Sequence, residues 1–200
     1  MKFFVNSLIV IALLFSAMTF AQQNKKMDKK TDTKKTDVKK VRVSPKAGVF
    51  QTIGITDVNV SYSRPGVKNR KIWGDLVPYN KVWRTGADEC TKITFSTDVM
   101  IEGKKLPAGS YGFFAIPGEN EWTLIFNKVA DQWGAFTYNE SEDALRVKVK
   151  PIANSNHEYL LYSFTDMAPA AAPTSATLNL IWEKIKVPFK IEGKGDGQTK

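Results

Sequence analysis

Residues 57–63, DVNVSYS, set Val58, Val60 and Tyr62 in strict alternation with Asp57, Asn59, Ser61 and Ser63. A period of two sends successive side chains to opposite faces, one apolar and one wet, which describes a half-buried β-strand. The same period recurs where Leu145, Val147 and Val149 alternate with Arg146, Lys148 and Lys150, and where Val187, Phe189 and Ile191 alternate with Lys186, Lys190 and Glu192. Shorter runs at 49–53, 91–95, 99–102, 111–116, 122–127, 158–165 and 177–183 bring the expected strands to ten. Turn signals such as PGEN at 117–120 and LPAGS at 106–110 separate them. The pattern predicts an all-β fold, an antiparallel β-sandwich or flattened barrel of about ten strands with little helix. Long irregular segments at 65–90, 128–144 and 166–176 are where a site is expected, because loops on a rigid scaffold carry most sites.

Working outward, residues 1–21 read as a signal peptide: Lys2, an unbroken apolar run from Leu8 to Phe15, and small residues at Thr19 and Ala21. Cleavage after Ala21 is expected rather than retention as an anchor, since Asn6, Ser7, Ser16 and Thr19 dilute the apolar stretch; no stable membrane span then remains. No cysteine stands near the cut, so a lipid-anchored form is not supported. The protein is expected to be exported, to the periplasm or the medium. Residues 22–42 hold nine basic and three acidic residues and almost nothing apolar, the composition of a disordered Lys-rich tether. That tether is either a solvated spacer or an electrostatic attachment to an anionic envelope. Residues 43–200 are expected to form a single β-sandwich domain, long enough to bury a core. It holds 19 basic and 17 acidic residues, so the high isoelectric point belongs to the tether and signal. Without a basic face the domain is not a nucleic-acid binder.

Cys90 is the sole cysteine and His157 the sole histidine. No internal disulfide can form, a packed thiol is the plainer role for Cys90, and His157 reads as a loop residue before a strand. Neither a metal site nor a cofactor is predicted, and no catalytic residue: a Cys-His pair, HExxH and GxSxG are not present as patterns.

The charged opening of the 91–95 strand, VWRTGADECTKITF at 82–95, is the unusual feature. Strand parity aligns Glu89 with Thr91, Ile93 and Phe95, and aligns Arg64 with Val58, Val60 and Tyr62, so both charges are expected to face inward. Buried charges need partners, so Arg64 and Glu89 are expected to meet or to share Arg84. Between them the segment adds Arg70, Trp73, Asp75, Trp83 and Asp88. Aromatic rings among arginines and carboxylates suit a sugar or a small anion. Alternatively, Trp73 and Trp83 plug the sandwich end while Arg84 ties the loop down. A glycosidase-like pair is disfavoured because Asp88 and Glu89 are adjacent and face opposite sides of a strand.

The motifs YSRP, GDLVPY, VWRTGA and KLPAGSY lie within a stretch, about residues 44–190, that resembles the bacterial family known as domain of unknown function 2911, frequent in Bacteroidetes. The resemblance implies an exported β-rich protein and no assigned activity. Where relatives have asparagine and alanine, this chain has Asp88 and Cys90, so no role needing a neutral amide at 88 or a small apolar residue at 90 is carried over. Three functions follow. The favoured one is a non-catalytic cell-envelope binding module for a glycan or small ligand, built from Arg64, Arg70, Trp73, Asp75, Trp83, Arg84, Asp88 and Glu89. The others are a structural or interaction protein without a ligand, and a hydrolase. The partner is open, an envelope glycan or an envelope protein.

Overall fold

A computed structural model describes residues 40–196; the expected signal peptide and nearly all of the expected tether lie outside the described residues. From Val41 on, the described residues form one compact unit. Its strands are β1 (Lys46–Ile53), β2 (Thr56–Ser63), β3 (Thr91–Phe95), β4 (Val99–Ile101), β5 (Lys104–Leu106), β6 (Gly109–Ile116), β7 (Trp122–Asn127), β8 (Asp143–Val149), β9 (Ile152–Ala168) and β10 (Ser175–Glu192). One 3-10 turn at Glu140–Glu142 is the helical content among the described residues. All pairing is antiparallel, in a six-stranded sheet ordered β1-β2-β3-β6-β7-β8 and a four-stranded sheet ordered β5-β4-β10-β9. The two sheets stack without closing, so the architecture is the sandwich and not the flattened barrel.

The alternation in DVNVSYS does what the period requires: Val58, Val60 and Tyr62 are buried between the sheets while Asp57, Asn59 and Ser61 are exposed. From the facing sheet Leu178, Leu180, Trp182, Val187, Phe189 and Ile191 complete the core. These last six span two runs of opposite parity, even numbers up to 182 and odd numbers from 187. The sequence pattern suggests two strands there, but one strand of 18 residues carries both. Register shifts around Glu183 reconcile them, with Glu183 itself at φ 55°: an extra residue at a bulge turns the following side chains over. His157, expected in a loop, lies inside β9 opposite Glu183, because β9 runs on past the bulge as a partner to the whole of β10. The short strand at 104–106 was not expected; its single buried residue, Leu106, leaves no period to read.

The six-stranded sheet also buries part of its outer face. Phe114, Ile125 and Cys90 pack there beneath Val82, Ala135 and Tyr138. The connection from β7 to β8 therefore lies across this sheet, beside the loop that precedes β3.

Candidate functional site

The loop from Val82 to Cys90 is held by its backbone. Trp83 exchanges hydrogen bonds with Ala115 on β6, at 2.8 and 2.9 Å, which seats its ring at one end of the core. Thr85 is fully buried at φ 53°; its hydroxyl donates to Phe113 O, and its carbonyl accepts from the hydroxyls of Thr91 and Tyr162. A left-handed non-glycine residue costs free energy, and these three hydrogen bonds offset it. At Gly86 a Cβ would come within 2.9 Å of the Thr91 hydroxyl oxygen and 3.1 Å of Ser63 O, so only glycine passes. Asp88 then turns the chain at φ 57° into β3.

Trp83 meets three other indoles. It stacks on Trp182 (5.9 Å between centroids, 16° between planes) and stands edge-on to Trp73 and Trp122 at 5.6 and 6.2 Å. Trp73 in turn packs on Trp122 and Trp182. Pairs of this kind add about 0.5–1.5 kcal/mol each beyond burial. The expected plug therefore exists, made by Trp73 and Trp83 together with tryptophans from β7 and β10.

The expected Arg64–Glu89 pair does not form. Arg64 turns to the other sheet, where its Nε donates to Leu160 O at 2.8 Å and its guanidinium lies 5.9 Å from the Tyr159 ring centre. The loop at 65–67 pairs with β9, through Leu160 N to Pro65 O and Val67 N to Glu158 O, and draws Arg64 with it. Glu89 is claimed instead by Arg42, whose Nη1 donates to Oε1 at 2.9 Å and whose Nη2 donates to Oε2 and, at 2.9 Å, to Asp88 Oδ2. Lys46 Nζ adds a contact of 3.0 Å. Hydrogen bonding from Arg42 above all, helped by Lys46, holds the Glu89 carboxyl down at about 2. Arg42, read from sequence as the last tether residue, thus clasps both acidic residues of the strand opening.

A depressed carboxylate stabilises the fold above its ordinary pKa, near 4.5, and loses that contribution as pH falls toward 2. Because the Glu89 side chain is 36% exposed, the effect should be about 1 kcal/mol or less. Urea melts between pH 6 and 2 should show the wild type losing more stability over that window than Arg42→Gln. Parallel curves would mean that the clasp contributes nothing in solution.

With the clasp closed, a cavity of about 290 Å³ remains beside the tryptophans. Val43 and Ser44, just beyond Arg42, form part of its wall; Pro65, Leu76, Val77, Trp83 and Trp182 supply apolar surface, and Lys68, Arg70, Arg84 and Asp88 supply charge. Of the eight residues expected at the site, the cavity gathers Arg70, Trp83, Arg84 and Asp88. Trp73 stands behind Trp83 in the cluster, Asp75 is exposed away from the lining, and Arg64 and Glu89 are engaged elsewhere. Lys68, from the same charged segment of the sequence, joins the lining, and Trp182 is an addition. Trp182 shares parity with the apolar Leu178 and Leu180, which was the available signal.

The polar balance of the cavity is uneven. Among the described residues no carboxylate is paired with Lys68, Arg70 or Arg84, while Asp88 is already bound to Arg42. Arg70 is fixed by donating to Val67 O and Gly66 O at 3.1 and 2.6 Å. Arg84 Nε and Trp182 Nε1 are both buried without a hydrogen-bond partner. Such donors cost roughly 1–3 kcal/mol each when nothing accepts from them.

The other chemistry-bearing side chains lie outside this cavity. Burial raises the Cys90 thiol to about 12, far from a reactive thiolate. Among the described residues no group of three His, Cys, Asp or Glu side chains could hold a metal ion, and no helix is long and apolar enough to cross a membrane. A family model described as "Protein of unknown function (DUF2911)" matches residues 44–191. No curated protein and no solved structure matches the chain.

Proposed function

Since the chain belongs to the DUF2911 family of proteins of unknown function, we propose its role from the site: an exported, non-catalytic binding module of the bacterial cell envelope that holds a glycan or small ligand in the cavity beside Trp83 and Trp182. The observation that carries this reading is one cavity walled by Trp83 and Trp182 and lined by three cations, Lys68, Arg70 and Arg84, without carboxylate partners among the described residues. A bound anion would neutralise charge that the protein itself leaves uncompensated. Apolar walls and a few polar groups are the usual make-up of a ligand site, and the volume sits at the small end of the range. Binding without turnover fits a thiol held far from ionisation and acidic residues committed to Arg42. Export rests on the charged, then apolar, then small-residue order of residues 1–21.

Titrating the purified protein with the dialysable fraction of a cell extract should shift tryptophan emission in a saturable way, since two of its five tryptophans line the cavity. Arg84→Gln should weaken the response at least tenfold, the loss of one charge-assisted contact. A response that is absent, or equal in the variant, would leave the tryptophan cluster as a plug only.

A further inference from the structure

The connection between β7 and β8 carries two large aromatic side chains in water, Trp133 at 60% and Phe136 at 84% exposure. They do not sit on a loose loop. Cys90 N donates to Gln132 O, Gly134 N donates to Asp88 O, and Tyr138 N donates to Ala135 O, while Gln132 Nε2 caps Val129 O. The backbone is thus stitched to residues 88–90, the strand opening that the Arg42 clasp also holds. A pinned loop that keeps its aromatic rings outward forgoes burying them, which marks an interaction surface.

Its position gives the surface a direction. A Cβ built on Gly134 would lie 3.6 Å from Arg84 Nη1. Arg84 therefore has its Nε buried without a partner, contributes to the cavity wall, and has its Nη1 against the aromatic loop. Arg84 thus belongs both to the cavity wall and to the surroundings of the loop that carries the two exposed rings.

Resting on the cavity reading above, we propose that the site takes an acidic oligosaccharide, one uronic-acid residue entering the cavity with its carboxylate among Lys68, Arg70 and Arg84, and the following sugar rings lying on Trp133 and Phe136. The cavity has the size for a sugar-scale body and a surplus of positive charge for its carboxylate. Aromatic faces outside it offer flat apolar surface to the CH faces of successive rings. A protein partner would also use aromatic side chains, but it would not need a cationic cavity next to them.

The probes are trigalacturonate, its fully methyl-esterified counterpart, and monomeric galacturonate, each titrated calorimetrically into the protein spanning residues 22–200. Trigalacturonate should bind, the ester at least tenfold more weakly, and Trp133→Ala and Phe136→Ala should each weaken the trisaccharide by about tenfold while leaving the monomer unchanged. Both side chains are exposed, so these variants should fold. Equal affinity for acid and ester, or wild-type affinity in both aromatic variants, would overturn the inference while a cell-extract response dependent on Arg84 still stood. No binding of any probe would overturn it too. So would self-association of the protein that Trp133→Ala abolishes, which would assign the rings to a protein interface.

Discussion

Trp182→Ala is expected to cost roughly 3–5 kcal/mol of unfolding free energy, the range for emptying a core position of a large aromatic residue. Trp182 is 1% exposed, stacked on Trp83 and edge-on to Trp73, so its removal strips partners from two other indoles. The surrounding β-scaffold leaves little room to collapse into the gap, since both Trp83 and β10 are fixed by backbone pairing. Trp182→Phe should lose much less, because ring packing is retained while the indole N–H goes. Guanidinium melts of the two variants measure this directly, and a loss below about 1 kcal/mol for Trp182→Ala would mean the cluster does not hold the sandwich end.

The same loss, roughly 3–5 kcal/mol, is expected for Phe95→Ala, whereas Asn59→Ala should stay within about 0.5 kcal/mol. Phe95 lies between the sheets, in contact with Tyr111 and Phe126, while Asn59 points to solvent from a neighbouring strand. The two positions belong to adjacent paired strands, β3 and β2. They differ in the face they present, which is what the period of two specifies. Comparable losses at both would mean that the alternation has been assigned to the wrong faces.

That alternation is why the sandwich was legible at all. Half-buried antiparallel strands write their faces into the sequence, as in β2 and in the two halves of β10. What it could not carry was the bulge at Glu183, because opposite parity in successive runs is equally compatible with two separate strands. At the site, parity correctly put Thr91, Ile93 and Phe95 in the core, while the place of Trp73 and Trp83 at one end of it was open between a plug and a pocket. Charge partners were another matter. Ion pairing depends on which segments pass nearby in space, and Arg42 and Glu89 are 47 residues apart. Arg42 closes a lysine-rich stretch with no period, so nothing local marks it as the residue that neutralises the strand opening. Arg64 obeyed its parity yet went to Leu160 O, a carbonyl on the facing sheet that accepts its hydrogen bond without neutralising its charge.

A ligand held in the cavity walled by Arg84 and Trp182 would be felt by the Trp182 ring. Its binding is read most directly from the indole N–H resonance of Trp182, assigned with Trp182→Phe among the five indole signals and followed while carboxylates, phosphates and monosaccharides are screened as fragments. Binding fragments should shift this resonance, because Trp182 forms part of the cavity wall, and Arg84→Gln should remove the shift. A screen in which the Trp182 resonance never moves, or in which only the exposed Trp133 responds, would contradict it.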